Sequence, residues 1–150
     1  MLYIMRHGRT DWNVERKLQG HTDVPLNEEG RQMAEEAAVR YKEVSIDTCY
    51  CSPLIRAKET AEIVLRDRNI PIWFDDRLVE MGFGEYEGIK LNTLAEDAPA
   101  NVLFQHPEKY VPGVDGESFA ELYKRTGSFL KEVVEPQLKA GKDVLIVGHG

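Results

Sequence analysis

Two apolar runs near opposite ends of the chain both lead into glycine and histidine, and this pairing constrains the fold most. The run LYIM at residues 2–5 continues into Arg-His-Gly, and the run DVLIV at residues 143–147 continues into Gly-His-Gly. Short apolar runs of this kind predict buried strands. Open α/β sheets bind ligands at the carboxyl ends of their strands. If these two strands are parallel neighbours, His7 and His149 lie together at one edge of the sheet.

Strand-like and helical stretches alternate between these two runs. The predicted elements after the first strand are a helix over 27–43, a strand over 46–51, a helix from Ser52 and Pro53 to about Arg68, a strand over 70–74, a helix over 118–138 kinked or ended at Pro136, and a strand over 143–147. Pro71 cannot donate to a strand ladder, so the 70–74 strand is expected near a sheet edge. Residues 75–90 are acidic and rich in glycine without periodicity, which indicates a functional or disordered loop. The alternation predicts a three-layer α/β/α domain with a mainly parallel central sheet.

Length and charge narrow the class of protein. A chain of 150 residues can bury one core, so we predict a single domain over residues 1–150. The formal net charge of −7 argues against nucleic acid or an anionic membrane as partner. There is no signal-peptide pattern and no apolar run near the roughly 20 residues that span a bilayer, so we expect a cytoplasmic protein. Cys49 and Cys51 stand too close together for a usual disulfide and are interpreted as small strand residues.

Basic residues gather near the first strand despite the negative net charge. Arg6 follows this strand directly, and its planar guanidinium suits phosphate or carboxylate oxygens. Arg56 is expected on the first turn of the helix after Ser52, where the helix N-terminus also favours an anion. We therefore predict one pocket with two histidines and two arginines, an arrangement that suits a phosphoryl group.

Such a pocket can transfer a phosphoryl group without a metal, because a histidine can attack phosphorus itself. A neutral His7, with its second ring nitrogen held by a carbonyl, would present its lone pair in line with the P–O bond. The leaving alkoxide then needs a proton from a carboxylic acid with a raised pKa. The segment 75–90 offers three candidates for this acid, Glu80, Glu85 and Glu87. No metal and no other cofactor is expected.

The motifs along the chain resemble those of the histidine phosphatase superfamily, the phosphoglycerate mutase-like proteins. They are, in order, RHGRTDWN at 6–13, LQG at 18–20, SPLIRAKET at 52–60, LVEMGFGEYEG at 78–88 and GHG at 148–150. A lone RHG would be a weak signal, whereas five motifs in this order cover essentially the whole chain. The resemblance implies a phosphoglycerate mutase-like fold. Domains of this family normally continue past GHG, so the chain is expected to lack the usual C-terminal helix or strand.

The resemblance also implies roles for individual residues. It implies His7 as the phosphorylated nucleophile, His149 as its partner at the transition state, and Glu80 as the proton donor. The remaining implied phosphate- or substrate-binding residues are Arg6, Asn13, Gln19, Gly20, Arg56 and Gly150. The residues interpreted instead as caps or solvated loop and rim positions are Glu85, Glu87, Arg9, His21 and His106.

We predict a metal-independent phosphomonoester hydrolase that forms a phosphohistidine on His7 and acts on a small molecule. The sequence GEYEG at 84–88 and the short span before the last strand resemble the phosphatase branch, including broad-specificity and α-ribazole-phosphate phosphatases, and not the mutases. Phosphoglycerate mutase-type transfer and an inactive phospho-ligand-binding paralogue are the alternatives within the family. A metal-dependent hydrolase built on the four histidines is the alternative outside it, although they lack HxxxH or HxH spacing. A homodimer is an open alternative to a monomer.

Overall fold

A computed structural model describes residues 1–150, and its centre is a four-stranded parallel sheet. The strands are β1 (Leu2–Arg6), β2 (Thr48–Cys51), β3 (Ile72–Phe74) and β4 (Val144–Gly148), in the spatial order β1-β4-β2-β3. Every residue of β4 is buried, which fits the central place of the most apolar strand. Its register places Gly148 opposite Arg6 of β1. The first and last strands are therefore parallel neighbours and β3 is at an edge, both as predicted.

Helices cover both faces of the sheet, which confirms the predicted three-layer architecture. They are α1 (Asp11–Val14), α2 (Glu28–Arg40), α3 (Ile55–Leu65), α4 (Pro99–Gln105), α5 (Phe119–Phe129) and α6 (Glu135–Lys139). On one face, α2 and α3 bury a core that includes Cys49, Cys51 and Leu145. On the other face, Phe129 and a smaller cluster pack against Ile146. No helix is long and apolar enough to cross a membrane.

The helix after β2 begins later than predicted. It starts at Ile55 with Leu54 at the N-cap, and not at Ser52 and Pro53. The first helical amide, Ile55 N–H, donates instead to Asp23 Oδ1 at 2.6 Å. A carboxylate from the preceding loop therefore caps the helix, and the Ser52 hydroxyl remains beside the end of β4.

The helix predicted over 118–138 is interrupted before Pro136. A π-helical segment, Leu130–Val134, separates α5 from α6. Proline lacks an amide hydrogen and its ring crowds the preceding turn, so a wider turn before Pro136 has a local cause. Phe129 and Val134 are five positions apart and both buried, as the i→i+5 spacing of a π-helix allows. Val134 is therefore buried in the cluster with Phe129, and Val133 packs against it partly buried.

The segment 75–90 contains two 3₁₀ turns, Asp76–Leu78 and Gly84–Tyr86, but no α-helix or strand. Gly88 N–H donates to the Leu18 carbonyl, and Leu18 N–H donates to the Ile89 carbonyl. These bonds tie the segment to the loop that follows α1.

Candidate active site

The two strand-end histidines lie side by side at the carboxyl edge of the sheet. Their ring centroids are 5.2 Å apart and the ring planes are tilted by 58°. The parallel ladder continues one step beyond β1, since His7 N–H donates to the Gly148 carbonyl at 3.0 Å. His7 is 6% exposed and the His149 side chain 4% exposed. The sheet backbone thus brings together two residues from opposite ends of the sequence.

His7 is held in one tautomer by its own neighbour. Its Nδ1–H donates to the Gly8 carbonyl at 2.6 Å, which leaves Nε2 with a free lone pair. Gly8 is required here because a Cβ would lie 2.5 Å from the Gly30 carbonyl oxygen. Burial, together with the charges of Arg56 and Arg6, lowers the pKa of His7 to about 4. The ring is therefore neutral near pH 7 and can act as a nucleophile.

His149 has one satisfied and one unsatisfied ring nitrogen. Its Nε2 lies 2.8 Å from Ser52 Oγ, while the buried Nδ1 has no hydrogen-bond partner and stands 3.9 Å from Glu80 Oε2. Burial and the nearby Arg56 charge lower the pKa of His149 to about 2, so this ring is also neutral. Buried polar atoms without partners are rare, and this one marks a position for a ligand.

Arg56 provides a fully buried positive charge beside the histidines. Its Nη1 donates to the Thr22 carbonyl at 2.9 Å and its Nη2 to the Gly20 carbonyl at 2.8 Å, while Nε has no partner. Its hydrogen-bond partners are neutral carbonyls, although the charges of Glu80, Asp23 and Glu87 act on it from nearby, and an anion bound at Nε would add a direct ionic partner. Arg6 is exposed and packs against the last residue, since a Cβ on Gly150 would lie 2.7 Å from Arg6 Nε. The four side chains together can hold a small anion.

Of the three candidate carboxylates, only Glu80 reaches this group. Its Oε1 accepts from Met81 N–H at 2.9 Å, and its Oε2 is the atom near His149. Burial raises the pKa of Glu80, opposed by the Met81 N–H bond and by three arginine charges. A partly buried carboxyl with a raised pKa can donate a proton to a leaving group.

Glu87 instead organises the loop that holds Arg56. Its Oε1 accepts from the amides of His21 and Phe83 at 2.9 and 3.2 Å, and its Oε2 accepts from the amide and hydroxyl of Thr22 at 2.9 and 2.6 Å. Gly20, at φ +53°, leaves room for it, because a Cβ there would lie 2.1 Å from Glu87 Oε1. Sequence analysis interpreted Glu87 as a cap or a solvated residue. It does cap loop amides, but its support of Arg56 was missed.

Asn13 and Gln19, two of the residues implied by the resemblance, are joined through Thr10. The buried Thr10 Oγ1 lies 3.0 Å from Asn13 Oδ1 and 2.8 Å from Gln19 Oε1. Thr10 and Asn13 also form the capping box of α1. Because the side-chain oxygens of Asn13 and Gln19 bond Thr10, the NH₂ groups of both side chains are free to bind a ligand.

The other residues interpreted as cap, loop or rim positions have neighbours other than the two histidines. Arg9 Nη1 donates to Glu29 Oε1 at 2.6 Å on the surface, and Glu85 Oε1 accepts from Val114 N–H at 3.2 Å. His106 is exposed with Nδ1 3.5 Å from Glu108 Oε1, and His21 is exposed beside Gly82. No group of three or more His, Cys, Asp and Glu side chains has a metal-binding arrangement.

Sequence analysis missed Arg125 and Glu117, which lie behind Glu80. Arg125 Nε donates to Glu117 Oε1 at 2.5 Å, and the Arg125 guanidinium also bonds three backbone carbonyls around Glu80. A signal was present in the sequence, because Arg125 lies three positions after Leu122 and four before Phe129, the spacing of one helix face. A charged residue in an apolar stripe calls for a buried partner.

The chain is similar to known proteins along nearly its whole length. Residues 2–150 match the family described as the histidine phosphatase superfamily, branch 1. The chain is 38% identical over 147 residues to the uncharacterized phosphatase PhoE of Bacillus subtilis, covering 98% of this chain and 70% of PhoE. It is 37% identical over 151 residues to the probable phosphoglycerate mutase GpmB of Escherichia coli, covering 99% of this chain and 69% of GpmB.

Two solved structures extend the likeness to the fold. The structure of Bacillus stearothermophilus YhfR matches with a TM-score of 0.89 and 41% identity, covering 99% of this chain and 73% of that chain. The alpha-ribazole phosphatase from Shigella flexneri matches with a TM-score of 0.84 and 31% identity, covering 99% of this chain and 73% of that chain.

Proposed function

The chain belongs to branch 1 of the histidine phosphatase superfamily, and we propose that it hydrolyses small phosphomonoesters through a phosphohistidine on His7. One observation carries the proposal. A neutral His7 with a free Nε2 lies beside His149 Nδ1 and the fully buried Arg56, whose Nε also lacks a partner. A phosphoryl group bound here would supply acceptors for both unpartnered nitrogens and meet the nucleophile at the same place.

The reaction has two displacements at phosphorus. In the first, His7 Nε2 forms a P–N bond as the P–O ester bond breaks, and the leaving alkoxide takes the proton of Glu80. In the second, the Glu80 carboxylate takes a proton from water, whose oxygen attacks phosphorus and breaks the P–N bond. Inorganic phosphate leaves, and His7 and protonated Glu80 are restored. Arg56, Arg6 and His149 stabilise the equatorial oxygens in both transition states.

Asn13 and Gln19 complete the proposed binding site through their free NH₂ groups, and Gly20 contributes by anchoring Arg56. Gly150 belongs to it through its contact with Arg6. The likeness to PhoE and to an alpha-ribazole phosphatase favours a phosphomonoester of a small molecule as substrate. No metal or other cofactor takes part in the proposed steps.

Phosphoglycerate mutase-type transfer is the second candidate. It is favoured by the 37% identity to GpmB, a probable phosphoglycerate mutase. The two candidates share the first displacement and differ in what accepts the phosphoryl group, a second hydroxyl group or water. A single trapping experiment with two acceptors therefore separates them.

The test is hydrolysis of p-nitrophenyl phosphate and a sugar phosphate at slightly acidic to neutral pH, with a chelator and no added metal. We expect turnover in the wild type and a loss of at least about 10³-fold in His7→Ala, as for other removed nucleophiles. Rapid acid-free quenching with a radiolabelled substrate should trap a base-stable, acid-labile phosphoenzyme in the wild type only. His106→Ala, an exposed histidine, is the matched control and should retain wild-type activity.

Four results would contradict the proposal in different ways. Wild-type turnover in His7→Ala would remove His7 as nucleophile, and loss of turnover with the chelator would favour a metal-dependent hydrolase. Binding of phosphomonoesters without phosphoenzyme or turnover would identify an inactive paralogue. Transfer to added phosphoglycerate faster than to water would identify a mutase.

A further inference from the structure

Arg125 is a side chain of α5 whose five N–H donors are all used behind the proposed proton donor. Its donor–acceptor distances are 2.5 Å from Nε to Glu117 Oε1, 2.8 Å from Nη2 to Glu117 Oε2, 2.8 Å from Nη1 to the Arg77 carbonyl, 2.7 Å from Nη1 to the Val79 carbonyl, and 3.1 Å from Nη2 to the Glu80 carbonyl. The Arg125 side chain is 18% exposed and the Glu117 side chain 12% exposed. Arg125 and Glu117 therefore form a largely buried, bidentate salt bridge, and Arg125 also donates hydrogen bonds to three backbone carbonyls.

Glu117 also bonds the backbone on the C-terminal side of Glu80. Its Oε2 accepts from Gly82 N–H at 3.1 Å, and its own N–H donates to the Gly82 carbonyl at 2.8 Å. Together, Arg125 and Glu117 bond the carbonyls on the N-terminal side as far as Glu80, and both the N–H and the carbonyl of Gly82. Glu80 itself lies in no helix or strand, so no strand ladder or helical hydrogen bond places it.

We propose that Arg125, held by Glu117, is a positioning residue that fixes Glu80 where its carboxyl can protonate the leaving group. The inference rests on the proposed role of Glu80 as proton donor. Arg125 makes no hydrogen bond to the histidines or to Arg56, so its hydrogen bonds act through Glu80, while its charge also helps to lower the pKa of His149. A displacement of a catalytic group by about 1 Å can cost on the order of 10²-fold in rate. A lysine retains the charge but cannot make a bidentate bridge and three carbonyl bonds at once.

The charge of Arg125 also acts on Glu80. It is one of three arginine charges that lower the pKa of this carboxyl and oppose the effect of burial. Glu80 must give a proton in the first displacement and take one in the second. A group that alternates between both states needs a pKa near the working pH, and the arginine charges limit how far burial raises the pKa of Glu80.

The test compares leaving groups, because a positioned acid matters most when the leaving group is poor. The variants are Arg125→Met, Arg125→Lys, Glu80→Gln and the double variant Arg125→Met with Glu80→Gln. Each is assayed for kcat/KM on an alkyl phosphate and on p-nitrophenyl phosphate. Arg66→Met is the matched control, since Arg66 pairs with Glu35 on the exposed surface of the helices. It should behave as the wild type on both substrates.

We expect Arg125→Met and Arg125→Lys to lose about 10- to 100-fold on the alkyl phosphate and only a few-fold on p-nitrophenyl phosphate. In the Glu80→Gln background, Arg125→Met should add less than about twofold, because residues that act as a unit are not additive. Thermal unfolding of each variant reports the folded fraction. If Arg125→Met does not fold, Glu117→Gln, which weakens the same bridge, should show the same selectivity for the poor leaving group.

The outcomes separate this inference from the function on which it rests. A selective loss in Glu80→Gln beside an equal loss on both substrates in the Arg125 variants overturns the inference alone. So does a fully additive double variant. An equal loss on both substrates in Glu80→Gln itself overturns the proton-donor role and, with it, the positioning role of Arg125.

Discussion

The site has two halves that are built in different ways. The sheet half consists of His7, His149 and Arg56, which follow β1, β4 and β2. The loop half consists of Glu80 in segment 75–90 and the side chains that support it. In the sheet half, backbone bonds of the parallel ladder extend to the site, such as His7 N–H to the Gly148 carbonyl and Ser52 N–H to the Val147 carbonyl, both 3.0 Å. In the loop half, side chains bond the backbone directly.

This difference shows where distant substitutions can reach the chemistry. Strand pairing places the backbone at His7 and His149 by repeated backbone bonds, and side chains add only the contacts of Thr60 with Gly8 and of Ser52 with His149. An irregular segment has no such repetition: Arg125 bonds three of its carbonyls, and the side chains of Glu117 and Glu87 each accept from one of its amides. We therefore expect losses along the strands only at the groups that meet the substrate or bond the histidines directly. Where irregular backbone is involved, we expect losses also at supporting residues, such as Glu87 for the loop around Arg56 and Arg125 for Glu80.

Arg56→Lys should give the largest effect among the substitutions that test this contrast. The variant retains a charge but cannot bond the Gly20 and Thr22 carbonyls and still present a free N–H to phosphate. We expect kcat/KM for p-nitrophenyl phosphate to fall by about 10²- to 10³-fold, the usual cost of removing a preorganised donor. Lys58→Met, on the exposed side of α3, is the control and should remain active. A loss below tenfold in Arg56→Lys would mean that charge alone suffices and that the bidentate geometry is irrelevant.

The sheet half could be predicted from sequence because parallel strand pairing determines where its residues lie. Polar residues directly after apolar strands meet at one edge if the strands are parallel, and His7 and His149 followed from that rule alone. The position of Arg56 was predicted correctly even though the start of its helix was not. Asp23, which caps α3, could not be found, because its bond to Ile55 N–H joins a loop to a helix 32 positions away.

Glu87→Gln should have a smaller but measurable effect through Arg56. The glutamine amide has the same size as the carboxylate. Its NH₂ group, however, would face two of the four N–H and O–H donors from which Glu87 now accepts hydrogen bonds. We expect a destabilisation of about 1–3 kcal/mol from the unsatisfied donors, and a fall in kcat/KM of about tenfold as the 20–22 carbonyls loosen around Arg56. Denaturant unfolding and steady-state kinetics check the two effects.

Glu85→Gln is the matched control for this variant. Glu85 belongs to the same segment and is exposed, and its carboxylate accepts only from Val114 N–H. It should keep wild-type activity and stability to within about 0.5 kcal/mol. Similar losses in the two variants would show that charge in the segment matters and that the loop amides do not.

The loop half was predictable only in part. The motif around Glu80 indicated the proposed acid by resemblance, but no periodicity in 75–90 indicated that a side chain from α5 would bond the backbone around it. Arg125 lies on α5 and Glu117 lies just before it, eight positions away, and their contacts around Glu80 arise only in three dimensions. The interpretation of Glu87 as a cap was right in kind, but the sequence does not specify that the capped amides belong to the loop around Arg56.

Thr48→Val tests the smallest effect, and it should make the protein more stable. Thr48 lies in β2, is 5% exposed, and its Oγ1 is buried without a partner. A buried hydroxyl without a hydrogen bond costs about 1–3 kcal/mol, and valine has nearly the same shape without it. We expect the free energy of unfolding to rise by about 1 kcal/mol in urea denaturation and kcat/KM to stay unchanged, because the β2 ladder uses only backbone bonds.

Thr60→Val is the comparison variant for Thr48→Val. The Thr48 hydroxyl has no hydrogen-bond partner, whereas the Thr60 hydroxyl bonds backbone groups at the site. Thr60 Oγ1 accepts from Gly8 N–H at 3.0 Å and donates to the Arg56 carbonyl at 2.7 Å, so its loss leaves the Gly8 amide unsatisfied beside His7. This variant should lose stability, whereas Thr48→Val gains it. A loss of activity in Thr48→Val would contradict the contrast, since it would mean that a side chain remote from the site positions the sheet half as others position the loop half.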